Sequence, residues 1–245
     1  MKRIIRISKD LYEMSQEVAA DLSRQVNDFS RIKRRLSVAF SGGNTPRQFF
    51  SVLGNDYRTN TLWKYVDFFW SDEKCVPPDD PESNYRAVRE AFLDKADIEE
   101  KNIHRIFGEN NPWEEAERYS GEIRRLTSEM FGLPVFDIIY LGLGEDGHVA
   151  SIFPENNHLF NSVRICEVSE HPATRQKRIT LTVPVINNAK KVIFIISGRN
   201  KAEIVSEILE NQDSTDSPAS KIKPLFGTLY WYLDLDSASL LNQLA

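Results

Sequence analysis

Short apolar runs recur along this chain, and stretches of helical periodicity separate most of them. LSVAF (residues 36–40), VDFFW (66–70), FDIIYLG (136–142) and VIFIIS (192–197) are almost continuously apolar. A strand of that character is covered on both faces. Leu11, Met14, Val18, Leu22 and Val26 recur every three or four positions, which predicts an amphipathic helix over residues 10–29. A second helix is expected to start at Pro46 behind a Thr45 cap, with others over residues 84–93 and 201–209. The tetrapeptide Asn111-Pro112-Trp113-Glu114 reads as a capped start for a helix reaching about Met130. VRICEV (163–168) and RITLTV (178–183) read as later strands, and TLYWYLD (228–234) as a final edge strand. Strands alternating with helices predict an α/β fold. The expected form is a single domain over residues 1–245, with a mainly parallel, Rossmann-like sheet and helices on both faces. The polar segment 211–220 is expected to be a surface loop, because too little chain follows it for a second domain.

The net charge is -5, so the chain lacks the concentrated basic surface that nucleic-acid binding needs. The basic run RIKRR (31–35) reads as a solvated helix end or loop. Cys75 and Cys166 have no CxxC spacing, which argues against a disulfide framework or a zinc site and suits a reducing cytosol. The first residues lack an apolar signal region, and no apolar run approaches membrane-spanning length. A cytoplasmic protein with no nucleic-acid or membrane partner is therefore expected.

In open α/β sheets, ligands bind outside the carboxyl ends of the strands. Three polar turns follow apolar runs here and are placed to share one crevice. The first is Ser41-Gly42-Gly43-Asn44-Thr45-Pro46. Its glycines permit close backbone approach, and a helix start favours an anion such as phosphate. An ordinary strand-to-helix turn looks the same. The second is Ser71-Asp72-Glu73-Lys74, where alternate residues point opposite ways, so two of the four face the crevice. A charge cluster is otherwise a solvated loop. The third, Gly142 to His148, contains GxGxxG, but Pro154 interrupts the helix a dinucleotide site needs. What remains is a glycine-rich loop presenting Asp146 and His148, an imidazole suited to proton transfer near neutral pH. Arg178 and Lys201 are either further phosphate contacts or surface cations. His104, His158 and His171 show no partner pattern, and no metal motif is present.

SGGNTP, SDEKCVP with the later SNY, GLGEDGHVASIFP, RITLTVPVINNAKKVIFIISGRNKA and the terminal PAS…YWYLD occur in that order. As an ordered set they resemble the 6-phosphogluconolactonase family, within the wider superfamily of sugar-phosphate isomerases and deaminases. The resemblance implies hydrolysis of a phosphorylated sugar lactone without cofactor or metal. It implies that Ser41, Gly42, Gly43, Asn44 and Thr45 hold the phosphate, with Arg178 and Lys201 as further anion contacts. It implies His148 as general base with Asp146 beside it, and Asp72 as an active-site acid. One departure is Lys74, where the family usually has arginine, so the charge is kept and the flat two-pronged donor lost. Related deaminases carry a glutamate for ring opening where this chain has Phe153. Amino-sugar-phosphate deamination and non-catalytic sugar-phosphate binding are the alternatives.

Overall fold

A computed structural model describes residues 2–210 and 215–242, with only the backbone of Asn44. In chain order the strands are β1 (Lys2–Ser8), β2 (Leu36–Phe40), β3 (Val66–Trp70), β4 (Asp72–Lys74), β5 (Ile103–His104), β6 (Ser128–Met130), β7 (Leu133–Val135), β8 (Ile138–Leu141), β9 (Cys166–Glu170), β10 (Lys177–Leu181), β11 (Lys191–Ile196) and β12 (Thr228–Asp234). The α-helices are α1 (Leu11–Arg31), α2 (Asn44–Asp56), α3 (Asn84–Ala91), α4 (Pro112–Leu126), α5 (Val183–Asn187) and α6 (Ala202–Glu210).

Seven strands form one sheet in the order β1-β12-β11-β8-β2-β3-β5, and every neighbouring pair is parallel. Its central strands are the four apolar runs. Side-chain alternation along β3 shows how both faces are covered. Phe68 meets Trp63 and Phe92, while Phe40 beside it meets Phe49 and Phe50 of α2. Phe69 points the other way, against Tyr119 of α4 and Phe136. All of these rings are fully buried, and each contributes about 1.5–3 kcal/mol by leaving water. The expected Rossmann-like architecture is what the chain adopts.

Several expectations need correction. TLYWYLD is not an edge strand, because β12 lies between β11 and β1. The edge on that side is β1, whose sequence KRIIRIS is mostly exposed and carries Lys2, Arg3 and Arg6. Charged residues are how an open edge avoids pairing with another chain. Helix α4 has the expected Asn111 cap, whose side chain accepts from the N–H groups of Trp113 and Glu114. It stops at Leu126 rather than near Met130, because residues 128–130 pair with β7 in a hairpin turned by Phe131 and Gly132 at positive φ. The later runs leave the parallel sheet. Strands β9 and β10 pair antiparallel with each other, and β10 with the short β4. The segment after residue 214 is not a surface loop either. Thr215, Ser217 and Ser220 are buried, and the Ala219 N–H donates to the Gly147 carbonyl at 3.0 Å. It braces the loop that carries His148. Residues 211–214 lie outside the described residues.

The basic run also does more than face solvent. Arg35 pairs with Asp67 and donates to Asn102 Oδ1 at 2.7 Å, and Arg34 pairs with Asp137 at 3.0 Å. These contacts lie at the amino ends of β2, β3 and β8, away from the carboxyl ends. His104 joins the network through Glu122 at 3.0 Å and Asp67 at 3.3 Å. Burial opposes charge on this imidazole, but the two carboxylates outweigh it and raise its pKa above 6.5. A raised folded-state pKa adds stability that is complete below the unfolded value and is lost as pH rises through the folded one. The His104 contribution to stability, read by urea unfolding, is therefore expected to fall as pH rises above the ordinary imidazole value of about 6.5. His104→Gln should flatten that slope, and an unchanged slope would contradict the assignment.

Candidate active site

The carboxyl ends of β11, β8, β2 and β3, four adjacent strands, open into a cleft of about 450 Å³. That volume suits a small ligand. Ser41, Gly42, Gly43, Thr45, Asp72, Lys74, His148, Arg178 and Lys201 all line it. The three turns singled out in the sequence thus share one crevice. The side chain of Asn44 lies outside what the structure describes.

The first turn leads straight into α2. Thr45 is not the cap: Gly43 occupies that position, with φ of 107°, and no side chain caps the helix. A side chain is strained at this φ, which accounts for glycine. The uncapped N–H groups of the first turn remain available to an anion. Ser41 is anchored by a 2.6 Å hydrogen bond to Ser71 at the end of β3.

In the third turn, His148 Nδ1 lies 2.6 Å from Asp146 Oδ1, and the His148 backbone N–H also donates to that oxygen at 3.1 Å. The carboxylate favours the proton on Nδ1 and leaves the Nε2 lone pair free. Partial burial opposes charge on Asp146, yet the imidazole and backbone bonds hold its pKa at about 2. Asp146 itself sits behind the histidine, lining the neighbouring hollow. Gly144 makes room for the pair: a Cβ there would stand 2.1 Å from His148 Nδ1 and 2.4 Å from Asp146 Oδ1. No helix follows this loop; residues 149 and 152 form a tight bridge instead, so the partial dinucleotide fingerprint has no helix to hold a pyrophosphate.

The second turn is not a solvated loop. Asp72 and Glu73 are 4% and 2% exposed. Alternation holds as expected: Asp72 and Lys74 line the cleft, and Glu73 faces α3. Asp72 accepts from Ser151 Oγ at 2.7 Å, and that hydroxyl lies 3.5 Å from Arg178 Nη1. Arg178 is the direct cross-strand partner of Lys74. Its Nε is buried with no hydrogen-bond partner among the described residues, so the guanidinium has donors to spare. Phe153 walls this corner, 4.9 Å from the His148 ring and 5.5 Å from the Arg178 guanidinium carbon.

Lys201 closes the cleft from the turn after β11. Burial lowers its pKa against the pull of Glu145 and Asp146, and no described residue forms an ion pair with it. Asp234 shapes that turn by accepting from Ser197 Oγ and the Gly198 N–H. The two thiols lie outside the cleft, and burial pushes Cys75 up to about 11 and Cys166 to about 12. Neither is a nucleophile at neutral pH.

Sequence reasoning assigned no role to Asn84, Ser151, Ser197 or Asn200, although Asn84, Ser197 and Asn200 line the cleft and Ser151 holds Asp72. All four lie within the segments that carry the family resemblance, Asn84 in SNY, Ser151 in GLGEDGHVASIFP, and Ser197 and Asn200 in the segment 178–202, but nothing local to them gave a role.

The family described as glucosamine-6-phosphate isomerases/6-phosphogluconolactonase matches residues 9–231. A 6-phosphogluconolactonase of Treponema pallidum is 37% identical over 202 residues, covering 82% of this chain and 84% of that protein. One of Aggregatibacter actinomycetemcomitans is 35% identical, covering 94% and 98%. The crystal structure of the devB protein superposes with a TM-score of 0.92 at 35% identity, covering 97% of this chain and 98% of the other. With the family matched over nearly its whole length, this chain belongs to the glucosamine-6-phosphate isomerase/6-phosphogluconolactonase family.

Proposed function

We propose that this chain hydrolyses 6-phospho-D-glucono-1,5-lactone to 6-phosphogluconate, with His148 activating the water. The observation that carries the reading is the His148–Asp146 pair opening on the same cleft as an uncapped helix start. The helix start and Lys201 bind the phosphate. That remote binding energy orients the lactone carbonyl. His148 Nε2 takes a proton from water as the water oxygen bonds to the carbonyl carbon. The carbonyl electron pair moves onto oxygen, where Arg178 donates hydrogen bonds. The intermediate then expels the ring oxygen, which receives the proton from His148. The new carboxylic acid ionises to give the open-chain product. Asp72, held by Ser151, accepts a hydroxyl of the sugar.

No carboxylate occupies the deaminase position, because Phe153 fills it and packs on His148. The pentose phosphate pathway is the metabolic setting this chemistry implies. Free thiols at both cysteines suit the cytoplasm. The test is lactone hydrolysis followed by a coupled 6-phosphogluconate readout, beside an ammonia assay with glucosamine 6-phosphate. Turnover in the first and none in the second is expected. Lactone loss no faster than its spontaneous rate would leave only a sugar-phosphate binder.

A further inference from the structure

The substituted position in the second turn leads to one residue that has no role so far. A lysine ammonium is a point charge on a flexible stem, so alone it positions an anion poorly. Here it is tethered. Lys74 Nζ donates to Asn84 Oδ1 at 2.9 Å and to the Glu82 carbonyl at 2.7 Å. An ammonium has three donors, so one is left. Both tethers are neutral, and no described carboxylate forms an ion pair with it, so its charge is not cancelled.

Asn84 is itself clamped. Its Nδ2 donates to the Asp72 carbonyl at 2.9 Å, and its backbone N–H donates to Glu73 Oε1 at 2.8 Å. The buried Glu73 carboxylate also accepts from the Tyr85 N–H and from Ser83 Oγ, which fixes the whole start of α3. The Asn84 amide presses on the first turn: a Cβ on Gly42 would lie 1.9 Å from its Oδ1. One side chain therefore touches both the glycine backbone of the anion cradle and the ammonium of Lys74.

We infer that Asn84 is a positioning residue that holds the Lys74 ammonium against the same phosphoryl group the Gly42–Gly43 backbone cradles. It supplies by packing the rigidity that a guanidinium would carry in its own plane. The inference rests on the reading of the cleft as a sugar-phosphate site.

Inorganic phosphate binding, measured by calorimetry, tests it without turnover. Asn84→Ala should weaken phosphate about tenfold, the scale of one charge-assisted hydrogen bond. Lys74→Ala should weaken it at least as much, and the double variant should match Lys74→Ala alone, because the asparagine acts through the lysine. In lactone turnover, Asn84→Ala should raise KM far more than it lowers kcat. Asn84→Asp keeps an acceptor for Lys74 but neutralises its charge, so phosphate should again weaken. Thermal melts establish that each variant is folded. Wild-type phosphate affinity in either Asn84 variant would overturn the inference, as would losses that multiply in the double variant. A wild-type protein that binds phosphate but does not hydrolyse the lactone would sink the proposed reaction and leave the role of Asn84 standing.

Discussion

Replacing His148 with alanine is expected to lower kcat by about 10²- to 10⁴-fold, the usual worth of a placed acid/base. The fold should survive, because the ring is part-exposed, with Phe153 and Asp146 among its neighbours. KM should change little, since the proposed phosphate contacts come from other turns. A stopped-time assay with wild-type and variant protein at equal concentration reads the effect directly. Turnover by the variant at the wild-type rate would remove the imidazole from the reaction.

Gly144→Ala should come close to the same loss without touching a titratable group. The added methyl would stand within 2.4 Å of both His148 and Asp146 side-chain atoms. Carbon and these atoms do not approach that closely, so the imidazole, the carboxylate or the loop must move. The loop has little freedom, because the Gly144 N–H is bonded to the His148 carbonyl at 2.9 Å and the Gly147 N–H to the Gly144 carbonyl at 3.1 Å. A displacement of about 1 Å in a catalytic group can cost about a hundredfold. A kcat at least about a hundredfold below wild type is therefore expected, with phosphate affinity retained. The control is Gly121→Ala, where a Cβ meets nothing within 4 Å, so activity should stay at the wild-type level. Full activity in Gly144→Ala would show that the pair tolerates displacement and does not act as placed.

The buried strands and the three turns were legible because each signal is local. A run such as VDFFW declares burial on both faces by itself, and a glycine-rich turn directly after it declares an exit at a carboxyl end. What stayed hidden depends on pairing across the chain. KRIIRIS shows no apolar face, and only its partner β12 makes it a strand. RITLTV announces extension, but its sheet is decided by a three-residue partner, DEK, some hundred residues earlier. That same partnership overturns the solvated reading of Asp72 and Glu73. Their charges are buried because Ser151, Ser83 and backbone N–H groups arrive from elsewhere to meet them. His104 looked partnerless for the same reason, with Asp67 and Glu122 lying 37 and 18 positions away.

The place of β1 bears on how the protein is made. It pairs along its whole length with β12, near the other end of the sequence. At ribosomal speeds of about 5–20 residues per second, roughly ten to fifty seconds separate the two. Strand β1 emerges well before the partner it pairs with, and during that interval its charged side chains disfavour pairing with another chain.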